Sequence, residues 1–335
     1  MSQPVLNSCP GTLAGQYSTY SPTFLRHMFK GRKVSHILPY NAPQKSEADA
    51  EMFMENRQRI SISGVQEKES LLLVKNQLRL TTAWEHGTYI LKPIPRDLKK
   101  VDQMPANEHL TMQIASQVYR IYTAENGMIF FKDGSPAYIT RRFDINADGD
   151  KLGMEDFATL AGKSKDTGGV NFKYDYSYEE AAALIVRYVP TWRVEMEKFF
   201  SVVVFNYLFS NGDAHLKNFA LLESASGDYF LSPAYDLINT RIHVDDTDFA
   251  LNKGLFADNF ESSAFKKTNH RGQQDFLEFA HRIGLEKKRA QKLLAPFMIK
   301  QEKVEVLINR SFLNQASKRA YALDYSTRRN SLVKE

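Results

Sequence analysis

The stretch that most restricts the fold is Phe199-Phe200-Ser201-Val202-Val203-Val204-Phe205-Asn206-Tyr207-Leu208-Phe209, which is apolar on nearly every face when wound as a helix. Such a helix belongs inside a core, and the run from Arg193 to Phe209 is too short to cross a bilayer. It leads straight into Asn211-Gly212-Asp213-Ala214-His215-Leu216-Lys217-Asn218-Phe219, so a polar cluster leaves a rigid base. With 335 residues the chain is long for one minimal domain and suits two lobes sharing a cleft.

Phe219 to Leu222 and Tyr229 to Ser232 read as two strands joined by a turn, followed by Pro233-Ala234-Tyr235-Asp236. An antiparallel hairpin brings its open ends together, so Asn218 and Asp236 are predicted neighbours, with Asp213 close by. Two acids and an amide at these spacings suit phosphoryl transfer from ATP. Asp213 would accept the hydrogen of an attacking hydroxyl, while Asn218 and Asp236 supply the oxygens that magnesium prefers. His215 reads as a proton carrier or as a brace for the loop, and Lys217 as a phosphate contact or a solvated side chain. Gly212 stands where ordinary protein kinases carry an arginine, and Tyr235-Asp236-Leu237 replaces their Asp-Phe-Gly.

The first half of the chain supplies complementary pieces. A helical pattern over Ala48 to Gln58 and a strand over Arg59 to Ser63 lead into Gly64-Val65-Gln66-Glu67-Lys68, and Leu71 to Val74 forms the next strand. Strand, small-residue loop and strand can lay backbone N–H groups over phosphates, although a plain hairpin has the same pattern. Thr88 to Pro93 is a strand carrying Lys92, either a phosphate-pairing lysine or a surface lysine at a strand end. Pro105 opens a helix bearing Glu108, which would orient Lys92 or simply complement the helix dipole. Asp133-Gly134 marks a hairpin whose second strand enters Arg141-Arg142-Phe143, a possible crossing between lobes that offers backbone groups to adenine.

These elements predict an α+β, two-lobed, protein-kinase-like fold. Residues 1–48 form a docking or lid segment with a helix near Pro22 to Lys30, 49–150 a small β-rich lobe, and 151–335 a larger, mainly helical lobe. In the larger lobe Met154 to Ala158 is expected to begin a helix, Gly162 to Asp175 is a polar loop, and Ser177 starts a helix through a capping box. Helices from about Ser262 to Ser331 close the lobe, and the basic tail at Arg328, Arg329 and Lys334 is expected to be solvated.

Composition narrows the function classes. Lys and Arg total 44 against 39 Asp and Glu, a net charge of +5, yet there is no zinc pattern or helix-turn-helix to read DNA directly. A single cysteine, Cys9, excludes an intrachain disulfide and a cysteine-rich metal site. The beginning of the sequence lacks a secretory pattern, which points to the cytoplasm.

Taken together, Ser61-Ile62-Ser63-Gly64-Val65-Gln66-Glu67-Lys68, Tyr89 to Lys92, Asn107-Glu108, Arg142-Phe143-Asp144, Glu155-Asp156-Phe157, Gly212 to Phe219 and Tyr235-Asp236 resemble the HipA-like serine/threonine kinases of bacterial toxin–antitoxin modules. The resemblance spans about residues 59 to 255. It implies Asp213 as the catalytic aspartate, Asn218 and Asp236 as magnesium ligands, Lys92 as an ATP contact and Arg141 to Phe143 as the hinge. It also places Ser63, Gly64, Val65, Gln66, Lys68, His215 and Lys217 beside the nucleotide, and implies autophosphorylation at Ser61, with Ser63 a second candidate. A phosphate of charge about −1.5 to −2 on that loop would repel ATP and disable the site. The early position of the loop motif resembles the short HipT type. That type implies a HipB-like DNA-binding antitoxin and a small HipS-like protein as partners, with DNA reached only indirectly. It also implies a toxin acting on an aminoacyl-tRNA synthetase, the tryptophan enzyme in particular. A small-molecule kinase of the aminoglycoside or choline type is the competing expectation, since a similar Gly-Asp-x-His-x-x-Asn grouping serves those enzymes. A non-catalytic nucleotide-binding partner is a third.

Overall fold

Ser21 accepts a hydrogen bond from Phe24 N and so caps the first helix, α1 (Pro22–Phe29), whose opening proline suits its first turn. The helix stops at Lys30 in a left-handed conformation, with φ 52°. The structure, a computed structural model, describes residues 5–43, 68–82, 84–95, 100–146 and 148–333. The expected helix over Ala48 to Gln58 and strand over Arg59 to Ser63 lie outside these residues.

The small lobe is built on β1 (Glu69–Val74), β2 (Gln77–Leu80), β3 (Tyr89–Pro93), β4 (Asn126–Phe130) and β5 (Pro136–Arg141). They form one antiparallel sheet in the order β2-β1-β3-β5-β4, with Leu91 opposite Ile139 and Lys92 opposite Tyr138. Apolar residues of one face, Leu71, Leu91, Ile129 and Ile139, pack with Tyr20, Phe24, Met28 and Phe29 from the N-terminal segment. Residues 5–43 thus fill the core of the small lobe. Leu38 N donates to Phe130 O at 2.7 Å, which ties the segment to the β4 edge.

Helix α2 (Met104–Gln117) lies on the other face and is buried over most of its surface. Its polar residues are therefore matched individually: His109 Nε2 donates to Gly11 O at 3.1 Å, and Thr111 meets the Tyr321 hydroxyl at 2.9 Å. The matches tie the N-terminal segment and the far end of the chain to one helix.

The larger lobe begins differently from the sequence expectation. Met154–Asp156 is a strand, β6, and only Phe157–Leu160 is helical, as α3. The reason lies in tertiary pairing: β6 adds to β7 (Ala220–Glu223), which pairs in turn with β8 (Tyr229–Leu231), and Asp156 then caps α3 by accepting from Thr159 N. Beyond a short α4 (Lys165–Gly168), Ser177 and Glu180 form the expected capping box of α5 (Tyr178–Tyr188). Helix α6 (Trp192–Leu208) runs through the middle of the core, with Phe199, Phe200, Val204 and Phe205 fully buried.

Helices α7 (Ser263–Thr268), α8 (Gln273–Arg282), α9 (Lys287–Met298), α10 (Glu302–Arg310) and α11 (Gln315–Val333) close the lobe. Arg328 on α11 corrects the reading of the tail as solvated. It is 2% exposed and pairs with Asp248 at 2.5 Å, because α11 turns this face inward, where the guanidinium also lies over the Tyr207 ring. Arg329 is half-buried, and Lys334 lies outside the described residues. Among the described residues no helix is long and apolar enough to cross a membrane.

Candidate active site

Strand β3 and helix α2 deliver the first charges. Lys92 Nζ sits 2.6 Å from Glu108 Oε1 and is also hydrogen-bonded to Asp236 Oδ1, while Lys68 Nζ stands 3.7 Å from Asp236 Oδ2. Two cations and two carboxylates thus share one mostly buried site. Burial alone would lower the Lys92 pKa, but Asp236 and Glu108 outweigh it and hold the ammonium above its ordinary range. Burial pushes the Glu108 carboxyl up to about 7 against the pull of Lys92. At Asp236 burial is outweighed by Lys68 and Lys92, which hold the carboxyl well below the usual range. A neighbour explains how α2 keeps Glu108 aimed: Asn107 donates to Asn239 O at 2.8 Å and accepts from Asn239 N at 3.2 Å, locking the helix to the chain just past Asp236.

The β7–β8 hairpin brings the expected oxygens together. Asn218 Nδ2 lies 3.4 Å from Asp236 Oδ2, and Asp236 itself holds a positive φ of 55°. For a non-glycine residue that conformation costs energy and marks a position fixed by its surroundings. The pair offers oxygen ligands only, and among the described residues no group of three or more His, Cys, Asp or Glu forms a metal cage. One carboxylate and one amide fit magnesium, which keeps water and phosphate oxygens as its remaining ligands.

Asp213 is half exposed at the mouth of the loop, with Tyr174 OH donating to its Oδ1 at 2.8 Å. Asn211 Oδ1 accepts from Asp213 N at 3.3 Å, and Asn211 Nδ2 reaches Asn206 Oδ1 at 2.9 Å, so the loop is tied back to α6. His215 braces the loop by its main chain and its ring. Its N–H donates to Asn218 Oδ1 at 3.2 Å and its imidazole meets the Tyr174 ring edge-on at 5.2 Å. Burial lowers its pKa to about 4, so the ring is neutral at pH 7 despite Asp213 nearby. Lys217 turns to Asp156 at 2.6 Å, making an ion pair at the start of α3.

The three hinge residues diverge. Arg141 reaches His27 O at 3.3 Å, Arg142 forks onto Asp144 at 2.9 and 2.5 Å, and the Phe143 ring packs 5.4 Å from Tyr235. Only Phe143 faces the Asp236 segment through a side chain; a contribution from the arginines to adenine binding would come from the main chain. Ser61, Ser63, Gly64, Val65 and Gln66 lie outside the described residues. Tyr174, Asn211, Asp156 and Asn107 join the site as residues not singled out for a role from sequence. Asn107, Asp156 and Asn211 fall inside quoted motifs, whereas Tyr174 has no signal beyond a polar loop.

Fold and site define a two-lobed protein of the protein-kinase-like class. The family described as HipA-like C-terminal domain matches residues 60–304, and the chain belongs to that family. It is 26% identical over 312 residues to a putative kinase of Haemophilus influenzae, covering 89% of this chain and 88% of that one. It is 27% identical to the putative kinase Y4mE of Sinorhizobium fredii, over 56% of this chain and 44% of the relative. Among solved structures, Shewanella oneidensis HipA, from a complex of that toxin–antitoxin system with HipB and operator DNA, matches with a TM-score of 0.59 at 19% identity. That match covers 81% of this chain and 63% of HipA, so the chain spans less than two thirds of it. The Helicobacter pylori proinflammatory kinase CtkA matches with a TM-score of 0.52 at 15% identity, covering 81% of this chain and 92% of CtkA. At these identities both likenesses speak for the fold.

Proposed function

We propose that the chain is an ATP-dependent serine/threonine protein kinase. The observation that carries this reading is the convergence of Lys92, Glu108, Asn218 and Asp236 beside the exposed carboxylate of Asp213. Lys92 and Lys68 hold phosphate oxygens, Glu108 keeps Lys92 aimed, and Asp213 accepts the hydrogen of the acceptor serine hydroxyl. That oxygen attacks the γ-phosphorus as the bond to the ADP oxygen breaks. Asp236 and Asn218 would hold magnesium, which supplies charge neutralisation on the phosphates. In the arrangement described, Asp236 is engaged by both lysines, so incoming phosphate competes for those ammonium groups and frees the carboxylate.

Family resemblance extends the proposal. The chain would act as a toxin of the short HipT type, phosphorylating an aminoacyl-tRNA synthetase, tryptophanyl in particular, and limiting itself by phosphorylation at Ser61 or Ser63. A HipB-like antitoxin and a HipS-like small protein would be its partners in the cytoplasm. Transfer of labelled phosphate from ATP into lysate proteins tests the activity, with Asp213→Asn expected to lower it by about 10²- to 10⁴-fold while ATP still binds. Label in a small alcohol and in no protein would move the reading to a small-molecule kinase. Phosphopeptides free of phosphate at both serines in active enzyme would remove the self-limiting step.

A further inference from the structure

A cavity of about 410 Å³ opens on the flank of the larger lobe and reaches the underside of the catalytic loop. Its walls are the segment after α2 (Tyr119 to Tyr122), helix α6 from Val194 to Asn206, the loop residues Asn211 and Asn218, and the chain from Leu231 to Leu237. Lys92, Glu108 and Asp213 are not part of the lining, so this space is separate from the phosphate site. Exposure falls from 58% at Val194 to 3% at Asn211, which gives the cavity a mouth and a floor.

Three observations describe what would fit. The walls are mostly apolar, with Tyr119, Val202, Phe219 and Leu237 among them, and the volume suits a compact organic molecule. At the floor, Asn206 is 4% exposed and accepts through Oδ1 from Asn211 at 2.9 Å, yet no acceptor for its own Nδ2 stands among the described residues. At the mouth the charges are unequal. Lys198 is paired with Glu195 at 2.8 Å and Glu197 with Arg289 at 2.5 Å, while among the described residues no carboxylate pairs with Arg120. Its charge, after burial, also helps hold the nearby Lys303 ammonium below its ordinary range. The rim is therefore an anion-favouring edge above an apolar shaft with a donor at its end.

We propose that this cavity binds an amphipathic organic anion, with its acid group at Arg120 and its apolar body reaching the Asn206–Asn211 pair, and that occupancy tightens nucleotide binding. The coupling follows from the floor. Asn211 holds Asp213 N at 3.3 Å and Asn218 lies 3.4 Å from Asp236, so an occupant packs beneath the residues that nucleotide also orders. The binding site stands independently of the kinase reading; only the coupling rests on it.

The probe is 1-anilinonaphthalene-8-sulfonate, an aromatic sulfonate whose fluorescence rises in apolar surroundings. We expect saturable binding to the full chain, weakened about five- to ten-fold by Arg120→Ala and abolished by Ser201→Trp, which fills the shaft. Saturating probe should tighten ATP about five-fold. Should Ser201→Trp fail to fold, Ser201→Cys supplies a thiol whose reaction with a bulky maleimide the probe should slow; the native Cys9 is fully buried and does not compete. Binding unaffected by Arg120→Ala and by the Ser201 variants, or displacement of the probe by ATP, would overturn the site. Probe binding with unchanged or weakened ATP affinity would overturn the coupling, and a failure of phosphate transfer alone would touch neither.

Discussion

The hydroxyl of Tyr174 donates a hydrogen bond to Oδ1 of Asp213 across 2.8 Å, taking up one of the carboxylate's acceptor positions. Burial, then the Asp213 charge, raises the phenol's pKa, so the proton stays on Tyr174. The ring is held by the edge of His215 at 5.2 Å and by the Lys173 ammonium at 4.9 Å. Tyr174→Phe keeps those ring contacts and frees that acceptor position. Initial rates of protein phosphorylation should rise by about two- to five-fold with ATP affinity unchanged. A fall in rate would show instead that the hydroxyl steers Asp213.

Gly212, just before Asp213, stands where a side chain would collide with a neighbouring carboxylate. A Cβ there would meet the Asp246 carboxylate at 2.3 Å, and Gly212 N is held by Thr240 Oγ1 at 2.9 Å. Gly212→Ala is expected to cut phosphate transfer at least about ten-fold by displacing the loop. Asp246→Ala in the same protein should restore much of the rate, because the clash lies with that side chain. Failure of the double variant to recover would place the cause in the backbone.

Arg328 fastens α11 beneath Ser210, at the start of the loop that carries Asp213: it pairs with Asp248 at 2.5 Å and its Nε lies 3.4 Å from Ser210 Oγ. Arg328→Met leaves the partner carboxylate without its cation and should cost about 3 kcal/mol in a urea titration. Asp248 keeps His270 at 3.3 Å and some water, which sets the cost at the low end of that range. Arg328→Lys should recover little, since one ammonium cannot reach both partners.

His109 is buried and bonded to Gly11 O at 3.1 Å, and burial lowers its pKa from 6.5 to about 4. Between those values the unfolded chain binds a proton that the folded chain refuses. Its contribution, about 3 kcal/mol when complete, is present above pH 6.5 and is lost as pH falls through about 4. Denaturant midpoints measured from pH 7 to pH 4 should decline accordingly, and His109→Gln should reduce the proton uptake on unfolding by about one. An unchanged slope in the variant would assign the acid sensitivity to other groups, His215 first.

Much of this architecture was legible without coordinates. The all-round apolar run from Phe199 to Phe209 could only be a central helix, and the Phe219 to Ser232 hairpin could only bring Asn218 toward Asp236. Both follow from periodicity and turn chemistry, which are local. Met154–Asp156 departs from the helix its sequence predicts because its pairing partner, Ala220–Glu223, lies more than sixty residues away. Short segments take the structure their neighbours impose.

The sequence by itself determined which elements carry Lys92, Glu108, Asp213, Asn218 and Asp236, because periodicity, turn chemistry and motif spacing are local. Only the tertiary structure decided what surrounds those residues. Tyr174 on Asp213, Asp246 against Gly212, Arg328 beneath Ser210 and the cavity under Asn211 all arise where distant segments meet. No local pattern encodes such meetings, because they depend on which faces are left to be buried once the helices and sheets have packed.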